Sequence, residues 1–465
     1  MNAPVLWILL PLAVAGFSLL LRNDRSILIL GAATAVFLSL FALIVPIDVA
    51  LLAGPLSFKL SGTLNILGRS FVLTTADGPL LAVYYGLAAL WFLGAETLQL
   101  TRRLIPLGLA IIALLVASTA VQPFLFAALL IEVAVLLSVP MLLPLDQKPG
   151  RGLTRFLIYQ TLAMPFILFA GWLLAGVETS PGDLTLTSQA TAMLAVGFAF
   201  LLAVFPLYTW IPVLMEEVPA YLAAFLLWIL PQTTLFFLMS FVDRYIFLRG
   251  SPELLGLLRV MGLLMIVTAG IWAAFQAHLG RMMGYFVVAE TGFMLIALGL
   301  GTATGTQVIF MQMIPRGLIM ILWALCLSII ESQVESPRFS LVQGAMRVTP
   351  FAAAGLIVAS LALAGFPLLA EFPPRLLLME GLASISLAQL FLLLLGFLGL
   401  LTGAIRTLAV TVMAPAEISW ESRESRIQVV AILLGVAALF LLGLFPQITQ
   451  PILEKLPSLF QHLGQ

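Results

Sequence analysis

Long apolar runs, each close to the length needed to cross a lipid bilayer, recur along almost the whole of this 465-residue chain. A transmembrane helix needs about 20 consecutive apolar residues, and helices can span a bilayer because their backbone polar groups are bonded internally. Short stretches with charged or turn-forming residues separate the runs. The pattern predicts an all-α, polytopic membrane protein of about 14 transmembrane helices.

The predicted helices follow one another closely. They lie near residues 4–21, 26–46, 79–99, 104–120, 123–144, 153–176, 188–213, 219–241, 254–276, 282–300, 306–330, 349–370, 384–410 and 427–445. Composition agrees, because 62% of the residues are hydrophobic and only 9% are charged, whereas a soluble domain carries about 25% charged residues.

Charge and residue counts exclude several classes of function. Twenty-one basic and 21 acidic residues cancel, so we expect no nucleic-acid partner, which would select a basic face. The single cysteine, Cys326, and the two histidines, His278 and His462, are too few for a disulfide framework, a haem or a zinc site. We therefore expect no cofactor and no metal, and the first partner that composition implies is the lipid bilayer.

One segment departs from the helical pattern. Residues 52–76 alternate between apolar and polar side chains, as in Leu56-Ser57-Phe58-Lys59-Leu60 and Phe71-Val72-Leu73-Thr74, with Gly and Asn between these stretches. This alternation predicts a short β-hairpin outside the membrane.

The distribution of basic residues predicts the orientation. If alternate connectors are assigned to one side, most of the arginines gather there, Arg22, Arg25, Arg102 and Arg103 among them. By the positive-inside rule this is the cytoplasmic side. We therefore predict a multi-pass protein of the cell's inner (cytoplasmic) membrane with both termini on the outer side.

Ionisable residues at membrane depth are costly and are therefore candidates for function. Those within or beside the apolar runs are Glu132, Glu290, Arg316, Glu371, Arg375 and Glu380. Each also has a plainer explanation, since a buried glutamate can be a hydrogen-bonded core acid and an arginine can extend to the interface.

Prolines interrupt two of the predicted helices. Pro206 and Pro212 lie in the seventh, and Pro367 lies in the twelfth, with Pro373 just beyond its predicted end. Proline frees a backbone carbonyl, which is tolerated at this depth only beside a polar cavity or another helix. The two broken helices are five spans apart, which suggests inverted repeats of an ion-pathway fold. The alternative is a simple proline kink.

This symmetry predicts four parts of the chain. Residues 1–100 form three helices and the hairpin, residues 101–245 form a first inverted five-helix repeat, residues 246–412 form a second, and residues 413–465 form a loop and the last helix.

Five stretches of sequence, in order, carry a resemblance to a known family. FPLYTWIPVLMEEVP, Phe205 to Pro219, resembles FPFHTWLPDAHxEAP of the antiporter-like membrane subunits of respiratory complex I and of related multisubunit cation/proton antiporters. The others are Asp77-Gly78, HLGRMMGYFVVAETGFMLIALG from His278, QMIPRGLIM from Gln312 and AGFPLLAEF from Ala364.

The resemblance implies a line of titratable residues in the membrane plane. It matches Glu132 to a buried glutamate of the fifth span and Arg316 to a relay histidine. Arg375 matches a terminal lysine, Glu380 can replace a terminal glutamate, and Glu290 stands where members often have His or Gln.

Two lysines of the family's relay are missing. The partner lysine of the seventh span falls at Leu201, and the bridging lysine of the eighth falls near Gln232. Arginine does not release its proton in a protein, so this chain does not have the residues of an intact lysine–histidine relay. Either the subunit keeps the architecture and pumps poorly, or water joins Glu132, Glu290 and Glu380 into a pathway.

The resemblance implies a membrane-arm subunit of a complex I-type NADH:quinone oxidoreductase, with a structural role that either includes or lacks proton translocation. Electron transfer would be carried out by other subunits. Partners would be further membrane subunits, with Glu216, Glu217 and the loop 411–426 near the contacts. The alternatives are a subunit of a multisubunit cation/proton antiporter, a membrane-bound hydrogenase-type ion pump, and a purely structural scaffold with a sealed channel.

Overall fold

The computed structural model describes residues 2–53, 56–66, 68–143, 148–180, 183–334, 336–413 and 420–463, and within these ranges all side chains except those of residues 50–53 and 56–58. Residues 414–419, the centre of the predicted loop 411–426, lie outside the described residues.

Helices make up most of the described chain. In order they are α1 Leu10–Leu20 (after a π-helical turn, Val5–Leu9), α2 Asp24–Ile44, α3 Gly78–Thr97, α4 Thr101–Ala120, α5 Ala127–Leu142, α6 Arg151–Thr179, α7 Leu184–Leu201, α8 Trp210–Glu217, α9 Ala220–Arg244, α10 Ile246–Arg249, α11 Pro252–Phe275, α12 Leu279–Gly299, α13 Ala303–Met311, α14 Met313–Glu331, α15 Phe339–Val342, α16 Ala345–Val348, α17 Pro350–Leu363, α18 Phe372–Ile385, α19 Leu387–Val412, α20 Arg426–Leu444 and α21 Gln450–Leu453.

The predicted polytopic all-α membrane architecture is confirmed. Within the described ranges, 12 helices are long and apolar enough to cross a membrane, or 13 if a bent pair that includes α17 is one span. The number is slightly below the predicted one for two reasons. The first apolar helix, Val5–Leu20, is shorter than a full span, and the twelfth run is divided into the short helices α17 and α18.

The extramembrane segment contains more strand than the single hairpin that the sequence predicts. Strand β1 (Ala50–Ala53) pairs antiparallel with β2 (Leu56–Lys59), and β3 (Thr63–Ile66) pairs with β4 (Arg69–Val72). A fifth strand, β5 (Val121–Gln122), adds to β4. Each half of the segment thus folds on itself, because a short-range turn closes at lower entropic cost than the longer loop of one wide hairpin.

Small residues let the helices approach closely. A Cβ atom added to Gly270 of α11 would lie 2.2 Å from the carbonyl oxygen of Gly396 in α19, and one added to Gly262 would lie 2.5 Å from the carbonyl oxygen of Gly292 in α12. Such contacts are typical of membrane helices, whose association relies on close packing. The central helices α9 and α12 are buried along almost their whole length.

Two spans are broken within the bundle. The first break separates α7 from α8 and contains Pro206, and the second separates α17 from α18 and contains Pro367. Pro212 and Pro373 lie in the early turns of the helices that follow, α8 and α18, where proline is tolerated. The two inverted repeats and the four-part division of the chain stay predictions.

Both ends of the described chain lie on the side of the bundle that carries the strands. Asn2 pairs with Ser61, and the C-terminal turn Leu456–Leu459 contacts the turn Thr75–Asp77 that follows β4. We call this the hairpin side.

Candidate functional site

Four charged side chains meet inside the bundle. Glu290 lies in the middle of α12, Arg316 in the first turn of α14, Glu371 immediately before α18, and Arg375 in the first turn of α18. All four are at most 1% exposed. We call this group the charge cluster; its two carboxyl groups and two guanidinium groups balance in formal charge.

Glu290 and Arg375 form a buried ion pair. One terminal nitrogen of Arg375 donates to Oε1 of Glu290, and Nε2 of Gln312 donates to the other carboxylate oxygen. The same nitrogen of Arg375 also donates to the carbonyl oxygen of Leu363. Residue 367, four positions beyond Leu363, is a proline in the break and cannot donate to that carbonyl.

Arg316 is held in the same manner. Its Nη2 donates to the carbonyl oxygen of Leu227 at 3.0 Å, and its Nη1 donates to Oε1 of Gln232 at 3.3 Å. Pro231 lies four residues beyond Leu227 inside α9 and cannot supply the helical hydrogen bond. Each arginine therefore satisfies a carbonyl that a proline has left free.

The carboxyl group of Glu371 has no hydrogen-bond partner among the described residues. It is 0% exposed and interacts electrostatically with Glu290 and with both arginines, yet neither carboxylate oxygen is bonded. Other unbonded polar atoms of the cluster and its contacts are both donors and acceptors: Nε of Arg316, Nε of Arg375, Nε2 of Gln232 and Oε1 of Gln312. Buried polar groups are normally paired, with water where protein partners are lacking, so this arrangement calls for water molecules among these groups.

The cluster can therefore move protons through only some of its members. The guanidinium groups stay charged and act as fixed positive charges. Carboxyl groups and water can bind and release protons, and Glu371, whose oxygens have no partner, is the group most free to do so.

The described residues of the first half of the bundle form no comparable cluster. Glu132 on α5 is half-buried and accepts a hydrogen bond from Oγ1 of Thr161 on α6 at 2.6 Å, while its Oε2 has no partner. Leu201 is buried, and its carbonyl oxygen, at the end of α7, accepts from Nε2 of Gln160 at 3.1 Å. A neutral amide thus bonds the carbonyl at the first break, whereas an arginine bonds the carbonyl at the second.

The structure places the predicted residues in three separate locations. Gln232, Glu290, Arg316 and Arg375 belong to the charge cluster and its immediate contacts. Glu132 lies between α5 and α6. Glu380 is exposed on α18, five residues from the end of that helix on the hairpin side.

Sequence reasoning missed part of the site. Glu371 was a candidate without a place in the proposed pathway, although it stands in the stretch AGFPLLAEF, and Gln312 begins the stretch QMIPRGLIM. Tyr84, whose hydroxyl lies 3.1 Å from Oγ1 of Thr233, gave no signal, because a tyrosine in an apolar run reads as ordinary core. Among the described residues, no group of three or more His, Cys, Asp or Glu could hold a metal ion.

Comparison with known families agrees with the fold and with the broken helices. The transmembrane region of the family described as NADH:quinone oxidoreductase/Mrp antiporter matches residues 173–402, which include both breaks and the charge cluster. The chain is an antiporter-like membrane subunit.

Individual relatives match this subunit over shorter lengths. NAD(P)H-quinone oxidoreductase chain 4-3 of Nostoc sp. is 29% identical over 194 residues, which is 37% of this chain and 33% of the relative. NADH-quinone oxidoreductase subunit N of Sulfurimonas denitrificans is 26% identical over 206 residues, 43% of this chain and 41% of the relative. The matched segments thus span less than half of the length of these relatives.

Solved structures share the fold over the whole chain. A chain of the Mrp complex from Dietzia sp. superposes with a TM-score of 0.83 at 17% identity, covering 100% of this chain and 99% of that one. A chain of the archaeal membrane-bound sulfane sulfur reductase gives 0.82 at 17% identity, with the same coverage. A chain of respiratory complex I from Thermus thermophilus gives a TM-score of 0.79 at 19% identity, covering 99% of this chain and 100% of that one. The antiporter-like subunit is a multi-pass membrane protein of this fold.

Proposed function

We propose that the antiporter-like subunit belongs to the membrane arm of a complex I-type NADH:quinone oxidoreductase and that it moves protons through carboxyl groups and water without lysine. Electron transfer would take place in other subunits. Glu371 is the single observation that carries the proposal, because a carboxyl group at this depth with both oxygens unbonded must be accompanied by a proton or by water.

The arginines have a different role in this proposal. Arg375 bonds the carbonyl at the end of α17, Arg316 bonds the carbonyl that Pro231 leaves free inside α9, and both supply fixed positive charges. Protons would then exchange through Glu371, while the Glu290–Arg375 pair keeps the cluster in place.

The proposed pathway runs through the charge cluster and Gln232, with Glu132 and Glu380 as separate lateral exchange sites. Residue 201 is a leucine, so among the described residues no base at that position joins Glu132 to the cluster. Glu132 at the α5–α6 boundary and Glu380 on the exposed face of α18 are instead placed to exchange protons or hydrogen bonds with neighbouring membrane subunits.

The orientation is also part of the proposal. The basic connectors face the cytoplasm and the hairpin side faces outward, in the cell's inner membrane. Glu217, whose carboxylate accepts the backbone N–H groups of Arg151 and Gly152 at the start of α6, then lies at the cytoplasmic surface.

Two variants test the transport proposal in the native, assembled complex. Glu371→Gln keeps the shape of the side chain but cannot ionise, so we expect fewer protons translocated per electron pair while quinone reduction continues. Glu132→Gln should have the smaller effect, and Glu421→Gln, in an exposed loop, is the control. A loss of translocation with Glu132→Gln but none with Glu371→Gln contradicts the proposal, and no loss with either variant supports a sealed scaffold.

A cation/proton antiporter is the second candidate, and the whole-chain likeness to a chain of the Mrp complex favours it. A membrane-bound hydrogenase-type pump is the third possibility. Purifying the native complex and identifying its other subunits would distinguish these candidate functions. Hydrophilic quinone-reducing subunits indicate the complex I type, whereas membrane subunits alone indicate an antiporter.

A further inference from the structure

The C-terminal segment folds back across the hairpin side of the bundle. After α20 ends at Leu444, the chain forms the turn Pro446–Ile448, the short helix α21 and the turn Leu456–Leu459. Leu453, Leu456 and Leu463 are buried along it. The segment is therefore docked onto the bundle by its own apolar side chains.

One carboxylate fastens the end of this segment. Asp243, in the last turn of α9, accepts the backbone N–H groups of Gln461, His462 and Leu463 at 3.2, 2.7 and 2.9 Å. Hydrogen bonds to an ionised acceptor are stronger than neutral ones. Three of them on one side chain form a clamp that a single substitution can release.

A small polar cavity lies beneath the clamped segment. Its volume is about 90 Å³, several times the space that one water molecule requires. Leu459 and Phe460 of the C-terminal segment form its outer wall, and Phe460 also packs against Phe236 and Phe310 with ring centroids 6.4 and 6.3 Å apart. The polar side chains around it are Asp77, Ser118, Thr119, Thr233 and Ser240.

Polar residues connect the wall of the cavity with the charge cluster. Thr233, in its wall, lies 3.1 Å from the hydroxyl of Tyr84 through its Oγ1, and Tyr84 interacts electrostatically with Arg316. The residue next to Thr233 is Gln232, which accepts a hydrogen bond from Arg316. Hydroxyl and amide groups thus lead from the surface to the buried cluster.

We propose that this cavity is a water-filled port on the hairpin side that admits water and hydrated protons, and that the C-terminal segment is its lid. What passes through the port rests on the function proposed above; the existence of the port and its lid does not. The clamp at Asp243 keeps the lid closed, and its release opens a path to Ser240 and Thr233.

The port can be tested by cysteine labelling in membranes that contain the assembled complex. Ser240→Cys is introduced alone and together with Asp243→Ala, and a small, positively charged, membrane-impermeant thiol reagent is added on the hairpin side. We expect slow labelling with the clamp intact and labelling at least about tenfold faster without it, since hydrogen bonds to a charged group are each worth that factor or more. Phe460→Ala, which thins the lid, should also accelerate labelling.

Controls make the outcome decisive. The parent chain gives the background, because its Cys326 is buried, and Ser360→Cys reports on a buried site where that hydroxyl accepts from Trp323 at 3.0 Å. Equal labelling rates at position 240 with and without the clamp, or no labelling in any variant, overturn the proposal. It is also overturned if Asp243→Ala accelerates labelling at position 360 as much as at position 240. If position 240 labels as expected while Glu371→Gln leaves translocation unchanged, the proposed function fails and the port stands.

Discussion

At the scale of single residues, this subunit has no lysine in its described helices, whereas the relay that the family resemblance implies depends on intramembrane lysines. Its lysines are Lys59, Lys148 and Lys455, all outside the described helices. Arg316 and Arg375 occupy the cluster instead, and the planar guanidinium group can bond a carbonyl and a side chain at once, which an ammonium group does less well. Arginine thus bonds backbone carbonyls that prolines have left free but removes a titratable base.

The ion pair in the cluster predicts a large effect on stability. Arg375→Met leaves Glu290 as a buried carboxylate with only Gln312 as a donor, and breaking a buried pair in this way costs about 3–5 kcal/mol. We expect a clear fall in the thermal unfolding temperature of the purified chain in detergent. The double variant Glu290→Met, Arg375→Met should regain part of the loss because both charges are gone. An unfolding temperature for Arg375→Met equal to that of the parent contradicts this account.

His278 predicts a dependence of stability on pH. It caps the start of α12, where its Nδ1 accepts the N–H of Arg281 at 3.4 Å, and burial holds the pKa of His278 below its usual 6.5, with Glu216 opposing the shift. The unfolded chain therefore binds this proton more readily, so the folded state loses stability as the pH falls below about 6.5.

His278→Asn tests that dependence, because asparagine caps a helix without titrating in this range. Unfolding temperatures measured between about pH 5 and pH 8 should fall less steeply on the acid side in the variant than in the parent. Identical slopes would show that other groups account for the acid sensitivity.

At the scale of elements, the two breaks owe their stability to side chains from other helices or from the following half-helix. The carbonyl at the end of α7 is bonded by Gln160, and that at the end of α17 is bonded by Arg375. Proline spacing indicates where such carbonyls become free, but the identity of the donor depends on tertiary packing. The breaks were therefore predictable from sequence, and their partners were not.

Helix crossings give a prediction at the same scale. Gly270→Ala forces a methyl group against the backbone of Gly396, and overpacking of this kind costs about 1–3 kcal/mol. Gly16→Ala is the matched control, because a methyl group there meets no atom within 4 Å. Thermal unfolding should reveal destabilisation in the first variant only, and equal curves would count against a close α11–α19 crossing.

The sequence predicted the positions of the helices well because each apolar run is long and is ended by charged or turn residues. It predicted the sheet region but not its pairing, since alternation marks a strand without naming its partner. Glu290, Arg316 and Arg375 were assigned to the site, yet Glu371 was not, because only the folded chain shows which glutamate near the second break points into the bundle.

At the scale of the whole molecule, the charged groups inside the bundle are distributed unequally between its two halves. The second half holds the charge cluster, and the first half holds Glu132 without a basic partner in the described part of the chain. The fold is shared with chains of complex I, the Mrp complex and the sulfane sulfur reductase. We infer that the subunit keeps the shared architecture but concentrates proton exchange in its second half.

Infrared difference spectroscopy of the assembled complex, recorded between its oxidised and reduced states, tests this claim most directly. With Glu371 as the proposed proton-exchanging group, the parent should show a carboxyl C=O band that is absent from Glu371→Gln and retained in Glu132→Gln. A difference spectrum that Glu371→Gln leaves unchanged would contradict the claim that this carboxyl group carries protons.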